Sequence, residues 1–134
     1  VNMEGVYQKL VRDNIPDIIS KKGETPIIRI LNDTEYQEAL EKKLSEELEE
    51  VLASSGQERL LELADMLEVI SALATLEDSN LDEVVALASK KAKERGAFKD
   101  KIFLEKFIAK KKDFNLKAFF TKKSYFFIRN KILF

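Results

Sequence analysis

The sequence predicts an all-α protein, an antiparallel bundle of four main helices. Apolar residues recur at helical spacing over long stretches. Capping residues and glycines punctuate those stretches. The connections between the last three helices are short, which predicts that those helices pack as antiparallel neighbours.

Residues 6–12 (VYQKLVR) read as extended. Asp13 is expected to cap a short helix over 14–22, with Pro16 tolerated in its first turn and Gly23 ending it. Residues 25–31 (TPIIRIL) are β-prone but brief, and read as an extended connector or a small strand. Asn32 and Glu35 form a capping-box pattern that opens a long helix over 33–53. Its apolar stripe is Tyr36, Leu40, Leu44, Leu48 and Val51. Ser54, Ser55 and Gly56 break the chain, and Ser55 with Glu58 is expected to cap a third helix over 57–77. Residues 78–80 read as a turn. A fourth helix over 81–95 carries Leu81, Val84, Val85, Ala88 and Ala92 and stops at Gly96.

The chain has 134 residues, 45% apolar and 35% charged, a length and composition suited to one globular domain with its own core. No apolar run approaches the length of a membrane span, and VNMEGVYQKL has no apolar signal core, so a cytoplasmic protein without a membrane partner is expected. There is no Cys and no His. Disulfides, thiol catalysis, zinc–histidine sites and Ser–His chemistry are therefore excluded. Catalysis would rest on carboxylates, Lys, Arg, Tyr and a hard cation held by oxygen.

The net charge of −1 conceals an asymmetry. Residues 1–105 carry 23 acidic against 14 basic side chains, and residues 106–134 carry 1 against 9. Seven of the nine Phe lie in that second segment. We therefore expect a main domain over 1–105 and a basic, Phe-rich extension over 106–134. A fifth helix there would have a poor pattern. Without a clean amphipathic period, a nucleic-acid or membrane-surface role is not expected for it.

The carboxylates are the unusual feature. At about 100° per residue, Glu47 lies about 60° from the centre of the apolar stripe at Leu44, Glu50 about 120° and Glu46 about 160°, all on one side. Glu49 falls on the opposite flank, toward solvent. In the 57–77 helix, one stripe is Leu60, Leu63, Ala64, Leu67, Ile70 and Ala74. Glu62 and Asp65 point away from it, onto a face that also holds Leu61, Val69, Ala72 and Leu76. A helix apolar on two faces is expected to be buried on both, which would put Glu62 and Asp65 beside a partly dry region. Adjacent carboxylates there repel. A divalent cation held by Glu-x-x-Glu and Glu-x-x-Asp on facing helices would offset the repulsion. Arg or Lys partners are the competing explanation, and a solvated acidic face is the alternative for Glu46 and Glu49.

These residues carry a resemblance. EELEE (Glu46, Glu47, Glu50) followed by ELAD (Glu62, Asp65) resembles the E-E-x-x-E…E-x-x-D pattern of the all-α nucleoside triphosphate pyrophosphohydrolases, the superfamily of MazG and phosphoribosyl-ATP pyrophosphohydrolase. YQKLVRDNIPDII (7–19) is similar to the K-L-V-R-D-x-I-P opening of a MazG-like subgroup, and KKAKERGAF (90–98) to its basic segment. The resemblance covers roughly residues 7–105. It implies an oligomeric helical bundle, with a dimer expected and a tetramer as the alternative. It implies Mg2+, with Mn2+ as a substitute, held by Glu47, Glu50, Glu62 and Asp65.

The implied reaction is cleavage of a nucleotide between its α and β phosphates, giving a monophosphate and pyrophosphate. Glu46 would hold or deprotonate the attacking water, or serve as a further ligand. Lys9, Arg12, Lys91 and Arg95 would meet the phosphates, or else form surface salt bridges. Phe98 is expected in the core rather than against a base. The resemblance favours a house-cleaning enzyme over phosphoribosyl-ATP hydrolysis in histidine synthesis. A non-catalytic helical interaction module is the reading from a different class. The segment after 102–107 departs from the family pattern.

Overall fold

Four helices run in chain order: α1 (Ile15–Lys21), α2 (Asp33–Ala53), α3 (Gly56–Leu76) and α4 (Leu81–Arg95). They come from a computed structural model that describes residues 3–110. No strand occurs among the described residues, so the 25–31 segment is a connector and not the small strand that was the alternative. Residues 6–12 carry no regular element, and Gln8 at φ 50° bends the chain within them.

Local chemistry accounts for most helix ends. The α1 cap is Asn14 rather than the expected Asp13, and Asn14 makes no side-chain capping bond. Pro16 occupies the first turn, where its missing N–H costs nothing. Gly23 takes φ +85° just past the end, a conformation that suits a residue without Cβ. At α2 the capping box is complete. Glu35 N donates to Asn32 Oδ1 at 2.9 Å, and Asn32 N donates to Glu35 Oε1 at 3.4 Å. Arg29 adds a fork onto the Glu35 carboxylate at 3.3 and 2.8 Å.

Ser54 and Ser55 alone join α2 to α3. Ser54 is buried; its Oγ donates to Val51 O at 3.1 Å and its own carbonyl accepts from Arg59 Nε at 2.8 Å. Ser55 sits at the N-cap of α3 but makes no side-chain capping bond, contrary to expectation. Gly56 follows at φ +58°. A Cβ there would meet nothing within 4 Å, so the demand at this position is conformational and not steric. α4 is capped by Asn80, whose Oδ1 accepts from Glu83 N at 2.9 Å, while the Ser79 hydroxyl donates to the Glu83 carboxylate.

The chain divides into two compact units, Val1–Val84 and Val85–Phe134. In the first, the helix pair in contact is α2 with α3, an αα-hairpin built on the two-residue connection. The expected third neighbour, α4, is divided between the two units, and the pairing within the first is that of α2 with α3. Leu40, Val69 and Ala74 are the buried apolar residues of the hairpin. Tyr36, Leu44 and Val51 of the α2 stripe are half-buried, whereas Leu48 is exposed. Burial of α3 on both faces is not observed: Leu60, Leu61, Leu63 and Leu67 are exposed.

The second unit begins inside α4, which buries no residue. Gly96 N donates to Ala92 O at 2.9 Å as that helix ends, and Gly96 takes φ +82°. Phe98, expected in the core, is 99% exposed. Residues 102–110 carry no regular element. Most of the basic extension, with its weak prediction of a fifth helix, lies outside the described residues. Among the described residues, no helix is long and apolar enough to cross a membrane.

Candidate metal centre

The α2–α3 hairpin sets the acidic residues against one another. Glu47 is on the shoulder of the α2 stripe that faces α3. Glu62 and Asp65 are three residues apart on α3 and so share a face. All three are half-buried, and each offers a carboxylate oxygen within 4.8 Å of the other two. They open onto a cleft of about 320 Å³ in the first unit, which Glu46, Glu49 and Glu50 also line.

Not every sequence-predicted ligand joins the cluster. Glu50 lines the cleft but is exposed and stands outside the convergent three. The helical wheel explains this: at about 120° from the stripe centre Glu50 is turned further from α3 than Glu47 at about 60°. Glu49 is exposed, as its flank predicts, yet it too reaches the cleft wall.

Two of the predicted phosphate-binding cations are already engaged. Arg12 Nη2 donates to Asp65 Oδ1 at 2.7 Å. Lys9 Nζ lies 3.9 Å from Glu46 Oε1 and 5.7 Å from the Tyr7 ring centroid. Both residues thus form surface ion pairs. The pairs are open to solvent, with the Arg12 and Asp65 side chains 56% and 46% exposed. Lys91 and Arg95 are one helical turn apart near the end of α4 and both exposed. They belong to the other compact unit.

Sequence reasoning passed over Lys43 and Tyr7, which also line the cleft. Lys43 is four residues before Glu47 on the same helix face, a spacing that pairs side chains. Tyr7 stands two residues before Lys9, and its ring under that ammonium was not readable from an irregular segment.

The electrostatics mark Glu62 as the most burdened group. Partial burial pushes its carboxyl above the ordinary range, and the negative charges of Glu50, Asp65, Glu47 and Glu58 push in the same direction. Glu35 is the contrast. The Arg29 fork holds its carboxyl below the ordinary range, helped by the Asn32 backbone N–H.

The donor set fits a hard cation. Every convergent atom is a carboxylate oxygen, and oxygens on opposite sides of a small divalent ion lie about 4–5 Å apart, close to the observed spread. An ion bound by these three would also relieve the repulsion on Glu62. Acidic clusters attract any such ion, so the donors alone do not choose between Mg2+ and Mn2+.

No family model matches the chain, and no solved structure matches it. A stretch of 54 residues is 48% identical to an uncharacterized protein of Mycolicibacterium smegmatis. The match covers 40% of this chain and 55% of that protein, so it spans about half the length of the relative.

Proposed function

We propose that this chain is a MazG-like nucleotide pyrophosphohydrolase, hydrolysing nucleoside triphosphates or a related nucleotide between the α and β phosphates in the presence of Mg2+. The observation that carries the reading is the convergence of Glu47, Glu62 and Asp65 from two facing helices, in a cleft that Lys9 also lines and with Arg12 bonded to Asp65. The order of segments YQKLVRDNIPDII, EELEE and ELAD agrees with it.

When bound, the ion would supply charge neutralisation on phosphate oxygens and a more acidic water. Glu47, Glu62 and Asp65 would hold it, with Glu50 near enough on the cleft wall to join them. Glu46, half-buried beside Lys9, is the candidate to orient the attacking water and take its proton. Lys9 and Arg12 would bind the outer phosphates, where cationic side chains favour charge that is leaving with pyrophosphate. This division of labour asks the protein for positioning and electrostatics, chemistry within reach of a chain without histidine.

The enzyme reading includes a dimer. Leu60, Leu63 and Leu67 follow one another at spacings of three and four along α3 and are all exposed, an apolar stripe that a second copy would cover. The same stripe favours the second reading, a helical interaction module without catalysis. Pyrophosphate release from a panel of ribo-, deoxy- and modified nucleoside triphosphates, with Mg2+ and with EDTA, separates the two. Mg-dependent release that disappears in Asp65→Asn supports the enzyme. A folded protein that releases no pyrophosphate from any nucleotide refutes it.

A further inference from the structure

Arg12 is held in an unusual place for a substrate-binding cation. More than half of its side chain is open to solvent, yet its guanidinium bonds Asp65, one of the three convergent carboxylates. The two residues are 53 positions apart in sequence. The Arg12 carbonyl meanwhile accepts from Ile15 N at 3.0 Å, which ties its backbone to the start of α1. The backbone is thus anchored while the side chain reaches Asp65 on α3. No helix or strand includes residues 7–11 beside it.

We infer that Arg12 is a placeholder cation: it neutralises Asp65 until a divalent ion binds, and the displaced guanidinium then takes the phosphate chain of the substrate. The inference rests on the metal-dependent reading above and adds to it an order of events and a coupling between two ligands. A fixed positive charge at bonding distance from Asp65 opposes the entry of a second cation. An ion pair this exposed is weak, so a divalent ion attracted by three carboxylates displaces it. The freed guanidinium is planar, permanently charged and able to donate two parallel hydrogen bonds, which matches phosphate oxygens. Arg12 therefore weakens metal binding when phosphate is absent and strengthens binding of the metal–phosphate complex.

Calorimetric titration of the full chain tests this, first with Mn2+ alone and then with the Mn2+–pyrophosphate complex. Arg12→Gln removes the charge and keeps a hydrogen-bonding side chain. The expected result is Mn2+ binding about two- to fivefold tighter in Arg12→Gln than in the wild type. With the pyrophosphate complex the order reverses, the wild type binding about fivefold or more tightly. Arg12→Lys, which keeps charge without the planar fork, should bind Mn2+ alone as the wild type does and the complex less tightly than the wild type. Circular dichroism establishes that both variants are folded.

Equal Mn2+ affinity in wild type and Arg12→Gln, or weaker binding by the variant, overturns the placeholder role while leaving the metal reading intact. Failure of the wild type to bind Mn2+ in either titration overturns the metal reading, and the inference with it.

Discussion

Arg12 and Asp65 meet across 53 residues of sequence, guanidinium nitrogen to carboxylate oxygen at 2.7 Å. That bond joins the irregular N-terminal segment to the middle of α3. It gives Asp65 two roles, as partner of a cation from its own chain and as one of three oxygens suited to a cation from solution.

The two roles of Asp65 have separate measurable costs. Asp65→Asn should lower Mg-dependent pyrophosphate release by about a hundredfold or more, because the proposed metal site loses a charged ligand oxygen. Its cost to folding should stay within about 1 kcal/mol, the range of exposed ion pairs. Release assays and urea unfolding of the same preparation give both numbers. Large unfolding with modest loss of activity would reverse the assignment.

Divalent cations should stabilise the folded chain. An ion that binds the folded cluster and not the unfolded chain raises stability with the logarithm of its concentration, about 2.7 kcal/mol at a hundred times Kd. Thermal unfolding in rising Mg2+ or Mn2+ should show a midpoint that climbs and that EDTA returns to its starting value. A midpoint indifferent to both would count against the metal centre.

Without metal, Glu62 and Glu35 should give stability opposite dependences on pH. The Glu62 carboxyl is raised in the fold, so its charged form is penalised there. That penalty is fully present above its folded pKa and disappears as pH falls toward the ordinary carboxylate range. Glu62→Gln should therefore stabilise the EDTA-treated protein at neutral pH, with the advantage shrinking in acid. The Glu35 carboxyl is lowered, so its contribution is present above the ordinary value of 4.5 and is lost as pH falls through the folded value. Chemical unfolding of Glu62→Gln and Glu35→Gln across an acid series should show the two differences from wild type with opposite sign at neutral pH.

The helix ends offer a test independent of the site. Asn32→Ala removes a complete capping box and should cost about 1 kcal/mol. Gly56→Ala places a Cβ on a residue at φ +58° and should cost about 1–2 kcal/mol, although the added carbon has room. Thermal or urea unfolding measures both. A neutral Gly56→Ala would mean that the backbone there is not left-handed.

What could be read from the sequence follows the range of the interactions involved. The Asn32–Glu35 box rests on bonds between residues three apart, and the spacing alone discloses it; the Asn80 cap spans the same distance, though residues 78–80 read only as a turn. The bounds of α4 and the glycine stops at Gly23 and Gly96 are equally local. The i, i+3 pairing of Glu62 with Asp65 is helical geometry, and Glu47 follows once α2 is folded back on α3. Glu50 was expected in the ligand set, but its angle on the wheel carries it out of the convergent three.

Long-range features were not readable in the same way. The partner of Asp65 was foreseen only as some Arg or Lys, because which one depends on the path of residues 7–12. The apolar residues on both faces of α3 predicted cover that the described residues do not provide for Leu60, Leu63 and Leu67. Periodicity says which residues seek burial and is silent on what buries them.

The connection between α2 and α3 is two residues long, and the three convergent carboxylates lie between positions 47 and 65. Such contacts have low sequence separation, and low contact order goes with fast folding. Helical segments of this length form within about a microsecond, so the hairpin can bring the carboxylates together early, before distant parts of the chain have docked. If the hairpin is part of the folding nucleus, their mutual repulsion acts on the transition state. Multivalent cations should accordingly speed refolding more than they slow unfolding, making the acidic cluster a kinetic feature of the protein in addition to a thermodynamic one.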